Sequence, residues 1–251
     1  MKRILFLGTT LLLLCSCTSS KKDLGTNVSV HFSHYWDSIP VSPTDFNSLK
    51  FTTKNGEILS IENLRYLVSN LVLTDVNNKN FELSKYQLIN LGENQLTIPA
   101  VEVPLGTYTL SFVFGFSEAQ NTDGSYPDLN SVSFNVPNML GGGYHYMQFD
   151  GKYIGENLAP APFNYHAIRA VNKENPNAIA FQDTSFKVDL GVLVLTNATE
   201  IEIQMNIAEW FKNPYTWDLN ELNTVLMPNF EAQLLMSQNG KSVFSRGELS
   251  Q

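Results

Sequence analysis

Long stretches of this chain alternate apolar and polar residues with a period of two, and that pattern admits few folds. Val28, Val30 and Phe32 would point one way, and Asn27, Ser29 and His31 the other. In the same manner Tyr108, Leu110, Phe112, Phe114 and Phe116 alternate with Thr109, Ser111, Val113 and Gly115. Ile201, Ile203, Met205 and Ile207 alternate with Glu200, Glu202, Gln204 and Asn206. Successive side chains of a strand face opposite sides of a sheet, so such runs describe strands with one buried and one wet face. Further strands are expected over 64–73, 86–91 and 186–195. Turn chemistry punctuates them at Asn77-Asn78-Lys79-Asn80 and at Pro104-Leu105-Gly106, where proline fixes φ and glycine can take positive φ. The runs 186–195 and 200–207, flanking Thr196-Asn197-Ala198-Thr199, read as a hairpin. Helical signal is slight: 208–212 before Asn213-Pro214, 218–224 behind an acidic cap, and 230–237 before an Asn239-Gly240 turn. The expected fold class is all-β, an antiparallel β-sandwich with a few short helices. No internal repeat or break in composition marks a second domain, so residues 28–251 are expected to form one.

The N-terminus sets the address. Lys2 and Arg3 precede an apolar run over 4–14, far short of the ~20 residues that span a bilayer, so residues 1–17 read as a secretory signal peptide. Its ending, Leu14-Cys15-Ser16-Cys17, matches a bacterial lipobox, with Cys17 as the lipidated mature N-terminus and 18–27 as a polar tether. The expected location is the bacterial cell envelope, anchored by lipid to the outer membrane on its periplasmic or surface face. Both cysteines lie at or before the lipid site, so the mature domain has neither a disulfide nor a thiolate metal ligand. Loss of Lys2 and Arg3 takes the net charge from −8 to −10. An acidic chain without basic runs is not built for nucleic acid.

Four histidines are available for a metal: His31, His34, His145 and His166. Strand phase puts His34 inward and His31 outward, which separates that pair. His145 and Met147 share a phase within 144–149, His166 follows close behind, and Met139 is another nearby thioether. Imidazole with thioether is a soft set suited to copper. The plainer readings are that His145 is a surface residue, that Met147 and Met139 pack in the core, and that His166 makes a structural hydrogen bond. Asp150 and Glu156 lack the dense acidic spacing of a calcium loop. Nucleophilic catalysis finds no support: there is no Gly-x-Ser-x-Gly elbow and no His-Glu-x-x-His. Gly141-Gly142-Gly143 lacks the Lys-Ser/Thr of a phosphate loop and reads as a flexible loop. The expectation is a binding protein and not an enzyme. Aromatics supply the alternative, a surface lipoprotein that takes a glycan or protein partner without metal. Trp36, Trp217 and Tyr144 are the candidates to face such a ligand, while Tyr66, Phe112 and Phe114 belong to the core.

The order of several segments carries a resemblance. Leu64-Arg65-Tyr66-Leu67-Val68-Ser69-Asn70-Leu71, Pro104-x-Gly106-x-Tyr108, Val113-Phe114-Gly115-Phe116, Met139, Gly143-Tyr144, Phe149-Asp150-Gly151 and Phe163-Asn164-Tyr165-His166 occur in sequence. Together, over about residues 28–244, they resemble the MbnP-like lipoproteins, relatives of the methanobactin-associated periplasmic copper-binding protein. The resemblance implies an exported β-sandwich and copper handling beside a di-haem cytochrome of the peroxidase type. It also implies a Met-aromatic-Trp-x-Trp segment before the Gly-Tyr pair, whose tryptophan becomes a kynurenine that helps bind the metal. Here that segment is Met139-Leu140-Gly141-Gly142-Gly143-Tyr144, shorter and without tryptophan, and His166 is followed by Ala167 where the family has glycine. The kynurenine chemistry therefore does not transfer. A copper site on other ligands would place the His145 and His166 imidazoles within about 4–5 Å of a shared ligand position.

Overall fold

The computed structural model describes residues 24–173, 179–197 and 199–250. The expected signal peptide, Cys17 and most of the tether lie outside them. The strands are β1 (Gly25–Trp36), β2 (Ile39–Pro40), β3 (Phe51–Thr52), β4 (Ile58–Leu59) and β5 (Asn63–Asp75). β6 (Asn80–Asn90), β7 (Thr97–Pro104), β8 (Gly106–Phe114), β9 (Met147–Ile154) and β10 (Pro160–Ala167) follow. The last are β11 (Ala170–Asn172), β12 (Ala180–Gln182), β13 (Phe186–Leu195), β14 (Thr199–Asn206) and β15 (Phe244–Ser250). Helices α1 (Pro127–Ser131) and α2 (Phe230–Gly240) are short. One sheet runs β15-β14-β1-β2, with β7 also on β1. The larger runs β13-β8-β5-β9-β4-β3, with β6 on β5 and β10 on β9. The chain is all-β, a mainly antiparallel sandwich, with β1 and β14 as a parallel pair.

The alternation read from sequence is the core. Val28, Val30, Phe32 and His34 of β1 and Ile201, Ile203 and Met205 of β14 are buried, against Tyr66, Leu110, Phe112 and Phe114 of the larger sheet. Phe32 meets Tyr66 and Phe112 edge-on across the layers, with ring centres 6.1 and 6.2 Å apart. Such T-shaped pairs suit the ring quadrupoles and add about 1 kcal/mol each beyond area burial.

β5 organises the larger sheet by sharing one of its edges between two partners. Its first residues pair with β9, from Asn63↔Asp150 to Tyr66↔Met147, and its later ones with β8, from Val68↔Phe114 to Asp75↔Tyr108. The change falls on Leu67, whose carbonyl accepts from Gly115 N–H and whose N–H donates to the Tyr146 carbonyl, both at 2.8 Å. β8 leaves and β9 enters at this fork. Residues 116–145 leave between them and return across the outer face of the sheet.

Three local expectations are corrected. The 186–195 and 199–206 strands are not a hairpin: β13 pairs with β8 and β14 with β1, so their link crosses from one sheet to the other. Both strands carry one apolar face, and alternation alone does not say which sheet each joins. Residues 218–224 form turns, because the Asp218 carboxylate accepts from Asn220 N–H at 2.8 Å and that local bond competes with helix. Helix α2 continues through Asn239-Gly240. The Asn239 side chain donates to the Trp210 and Tyr215 carbonyls, and Gly240 lies where a Cβ would strike Phe186 and Trp210.

Gly115 sits at the fork with φ +81°, against the Tyr146 ring. A Cβ there would be strained by the backbone and would overlap the ring. Gly115→Ala should therefore lower stability by about 2–4 kcal/mol, read as a lower urea midpoint at unchanged m-value.

Candidate metal centre

The register of three strands builds the floor. Arg65 of β5 is opposite Gln148 of β9, which is opposite His166 of β10, and the next row is Asn63, Asp150 and Asn164. His166 Nε2–H donates to Asp150 Oδ1 at 2.7 Å. The Asn63 and Asn164 amides donate to the same carboxylate at 2.8 and 2.7 Å. Burial works to raise the Asp150 pKa, but His166 and the two amides outweigh it and hold the group down to about 2. Arg65 Nε–H donates to Gln148 Oε1, and Gln148 in turn to the Ser133 carbonyl, which draws the excursion onto the floor.

The excursion delivers His145. Asn135 and Tyr144 form an isolated bridge, and the Phe134 carbonyl accepts both the His145 backbone N–H and its Nδ1–H, each at 3.0 Å. A carbonyl only accepts, so Nδ1 carries the proton and Nε2 keeps its lone pair. That lone pair faces the Met227 thioether sulfur at 3.2 Å. Burial first, and then the neighbouring His166, lower the His145 pKa to about 4. At neutral pH the ring is uncharged, and two Lewis bases meet with no proton between them. The His145 and His166 rings lie with centres 5.4 Å apart and planes at 83°.

Met227 is held by α2. The buried Gln233 side chain accepts from Ile168 N–H at 2.8 Å and donates to the carbonyls of His166 and Leu226, at 2.9 and 3.1 Å. One amide thus ties the strand of His166 to the segment of Met227. The Asn164 N–H adds a second tie, donating to the Asn223 carbonyl at 2.8 Å. Met227 lies 82 residues from His145 and carries no local sequence signal.

The other expected residues are placed differently. Met147 does not accompany His145: a bend at Tyr146 resets the phase, and Met147 packs in the main core. Met139 is exposed on a 3₁₀ turn (Asn138–Leu140) and so is not core. Trp36, Trp217 and Tyr144 are buried where exposed, ligand-facing positions were expected. Trp36 Nε1–H donates to the Thr52 carbonyl at 3.1 Å, and Trp217 Nε1–H to the Leu222 carbonyl at 2.8 Å. The Tyr144 hydroxyl accepts from Tyr126 N–H and donates to Asn130 Oδ1. The polar residues around these aromatics are loops that fold over them and satisfy their polar ends. His31 touches Thr97 at the surface, and buried His34 is 3.2 Å from the Tyr66 hydroxyl. Among the described residues, no three or more His, Cys, Asp or Glu side chains are grouped to hold a metal. A set of three side-chain ligands that includes His145 and His166 would therefore draw on the thioether.

A family model described as MbnP matches residues 25–228. The chain belongs to the MbnP family. Among solved structures, MbnP from Methylosinus trichosporium is similar, at 14% identity and a TM-score of 0.48, over 75% of this chain and 78% of that one. No curated protein matches the chain.

Two measurements test the local architecture. Burial lowers the pKa of His34 to about 3 and of His145 to about 4, from 6.5. Between pH 6.5 and 4 the unfolded chain binds protons that the folded one refuses, so stability is full above pH 6.5 and falls as pH drops. The slope is about 1.4 kcal/mol per unit for each histidine. Urea unfolding from pH 7 to 4.5 should show this loss, and His34→Phe should reduce its slope by about half, leaving the part due to His145. Gln233→Leu should strand the buried Ile168 N–H and Leu226 carbonyl and the part-buried His166 carbonyl, and remove about 3 kcal/mol.

Proposed function

We propose that this MbnP-family chain is a lipid-anchored cell-envelope protein that binds copper through His145, Met227 and His166 without catalysing a reaction. The supporting observation is the contact of the His145 Nε2 lone pair with the Met227 sulfur at 3.2 Å. Two bases held together in a buried place, with the ring kept neutral, are relieved by a cation. A thioether with an imidazole selects a soft one, Cu(I) above all. Bonds of about 2.0 Å to nitrogen and 2.3 Å to sulfur would reach both atoms from one point. His166 ties Nε2 to Asp150 and so offers Nδ1, as His145 ties Nδ1 to a carbonyl and offers Nε2. Metal-binding histidines are ordinarily oriented in this way by a partner on the second nitrogen.

The family supports the copper reading, and the absence of tryptophan from 139–144 moves it from a kynurenine to this unmodified set. The signal sequence and Cys17 support a lipid anchor in the outer membrane. A di-haem peroxidase-type cytochrome is the partner the resemblance implies. Trp36, Trp217 and Tyr144, the aromatics on which the alternative of a glycan or protein partner rested, are buried.

Loading the lipidated mature protein in detergent with Cu(I), then washing exhaustively and measuring metal by mass spectrometry, tests the reading. Near-stoichiometric copper is expected in the parent. His145→Ala and the near-isosteric Met227→Leu should abolish it, and Asp150→Asn should weaken it about 10–100-fold. An empty parent, or a Met227→Leu variant that binds like the parent, would falsify the assignment.

A further inference from the structure

The end of the sandwich away from His145 carries apolar side chains that the fold does not bury. Leu24 is 76% exposed, Val76 80% and Leu105 38%. They are contiguous: the three line one groove of about 440 Å³, together with Phe81, Pro104 and Tyr108. Single exposed apolar residues are ordinary, but a joined group marks an interaction surface. Val194, also exposed, lies opposite Thr107 on the adjoining strand pair and extends the group.

Rigid turns hold these residues outward. The Asp75 carboxylate accepts from the N–H groups of Asn77 and Lys79, both at 2.8 Å, which closes the turn that presents Val76. Leu105 N–H donates to the Leu24 carbonyl, and the Tyr108 hydroxyl to the Pro104 carbonyl. Lys79 stands over the Phe81 ring, its ammonium 4.6 Å from the ring centre, a cation at the margin of an apolar group. That composition fits a bilayer surface, with acyl chains for the leucines and valines and headgroup phosphate for the lysine, while the Asp75 carboxylate in the same groove is taken up by the N–H groups of its own turn.

The position of the anchor selects the occupant. Leu24 is seven residues after Cys17, a reach of at most ~25 Å. A lipid on Cys17 therefore holds this end within that reach of the membrane. Arg65, in the row of His166, is ten residues along β5 from Asp75, about 33 Å at the rise of a strand. We propose that Leu24, the 75–79 turn and the 104–106 turn form a rim that docks into the bilayer surface. The domain then stands on its end, with the His145–His166 cluster turned away into the aqueous space. This rests on the lipid-anchor reading, and not on metal binding.

Sulfur chemistry makes the test clean, since the lipidated chain has no free thiol. Val76→Cys, Leu105→Cys and, at the far end, Ile58→Cys would each be labelled with an environment-sensitive dye. The full lipidated protein would then be placed in phosphatidylethanolamine–phosphatidylglycerol vesicles, with or without doxyl-labelled lipid. Labels at 76 and 105 should shift to the blue and be quenched at least about twofold, and the label at 58 should do neither. Equal, weak quenching at all three sites in protein that floats with the vesicles overturns the rim and leaves the anchor standing. A blue shift without quenching assigns the rim to another protein surface and overturns it as well. Protein that does not float with the vesicles overturns the anchor, and the rim with it.

Discussion

The backbone of Leu67 is the constraint on which the larger sheet depends. One residue accepts from the departing strand at Gly115 and donates to the arriving strand at Tyr146. A single edge of β5 thereby serves two partners in line, and the residues between them must leave the sheet and come back. That detour is what can lie on the outer face at all. It brings Phe134 and His145 above the row of Arg65, Gln148 and His166, which no continuous strand in the same plane would do. The Tyr146 ring occupies the space left by the missing Gly115 side chain, so the junction is closed by packing as well as by hydrogen bonds.

The candidate centre shows how a fold sets the state of a buried imidazole through one carbonyl and burial. The Phe134 carbonyl fixes the tautomer, burial removes the charge, and the Met227 sulfur takes the place where a hydrogen-bond donor would ordinarily stand. His166, half-buried beside a strongly acidic Asp150, has the opposite surroundings. Two neighbouring histidines thus differ in which nitrogen is tied and in the partner that ties it. Gln233 joins both halves of the centre through backbone groups, so local order at the centre is coupled to the docking of α2.

Much of the fold was legible in the sequence because a period of two is a direct image of a two-faced sheet. The strands around Phe32, Phe112 and Ile203 follow that image closely, and the turns at 77–80 and 104–106 fall where glycine, proline and asparagine placed them. The assignment of strands to sheets was not legible, since β13 and β14 each show one apolar face and differ only in their partners. At the centre, His145 and His166 were visible as the histidines near β9 and β10. Met227 was not, since its contact is made by chain folding across 82 residues. The choice of Met147 failed at one bend, and a single bend inverts every later face. Trp36 and Trp217 misled because polar neighbours in sequence became lids over them.

β1 opens the described fold at Gly25 and lies between β14 on one side and β7 with β2 on the other. Its pairing with β14 is parallel and runs without a break from Val28 to Tyr35. A pull exerted at the chain's leading end is directed along this strand, across hydrogen bonds that lie roughly perpendicular to it. Those bonds are loaded in shear and resist as a set, where a strand peeled from its end would yield one bond after another. In mechanical terms β1 is a clamp at the leading end of the described residues.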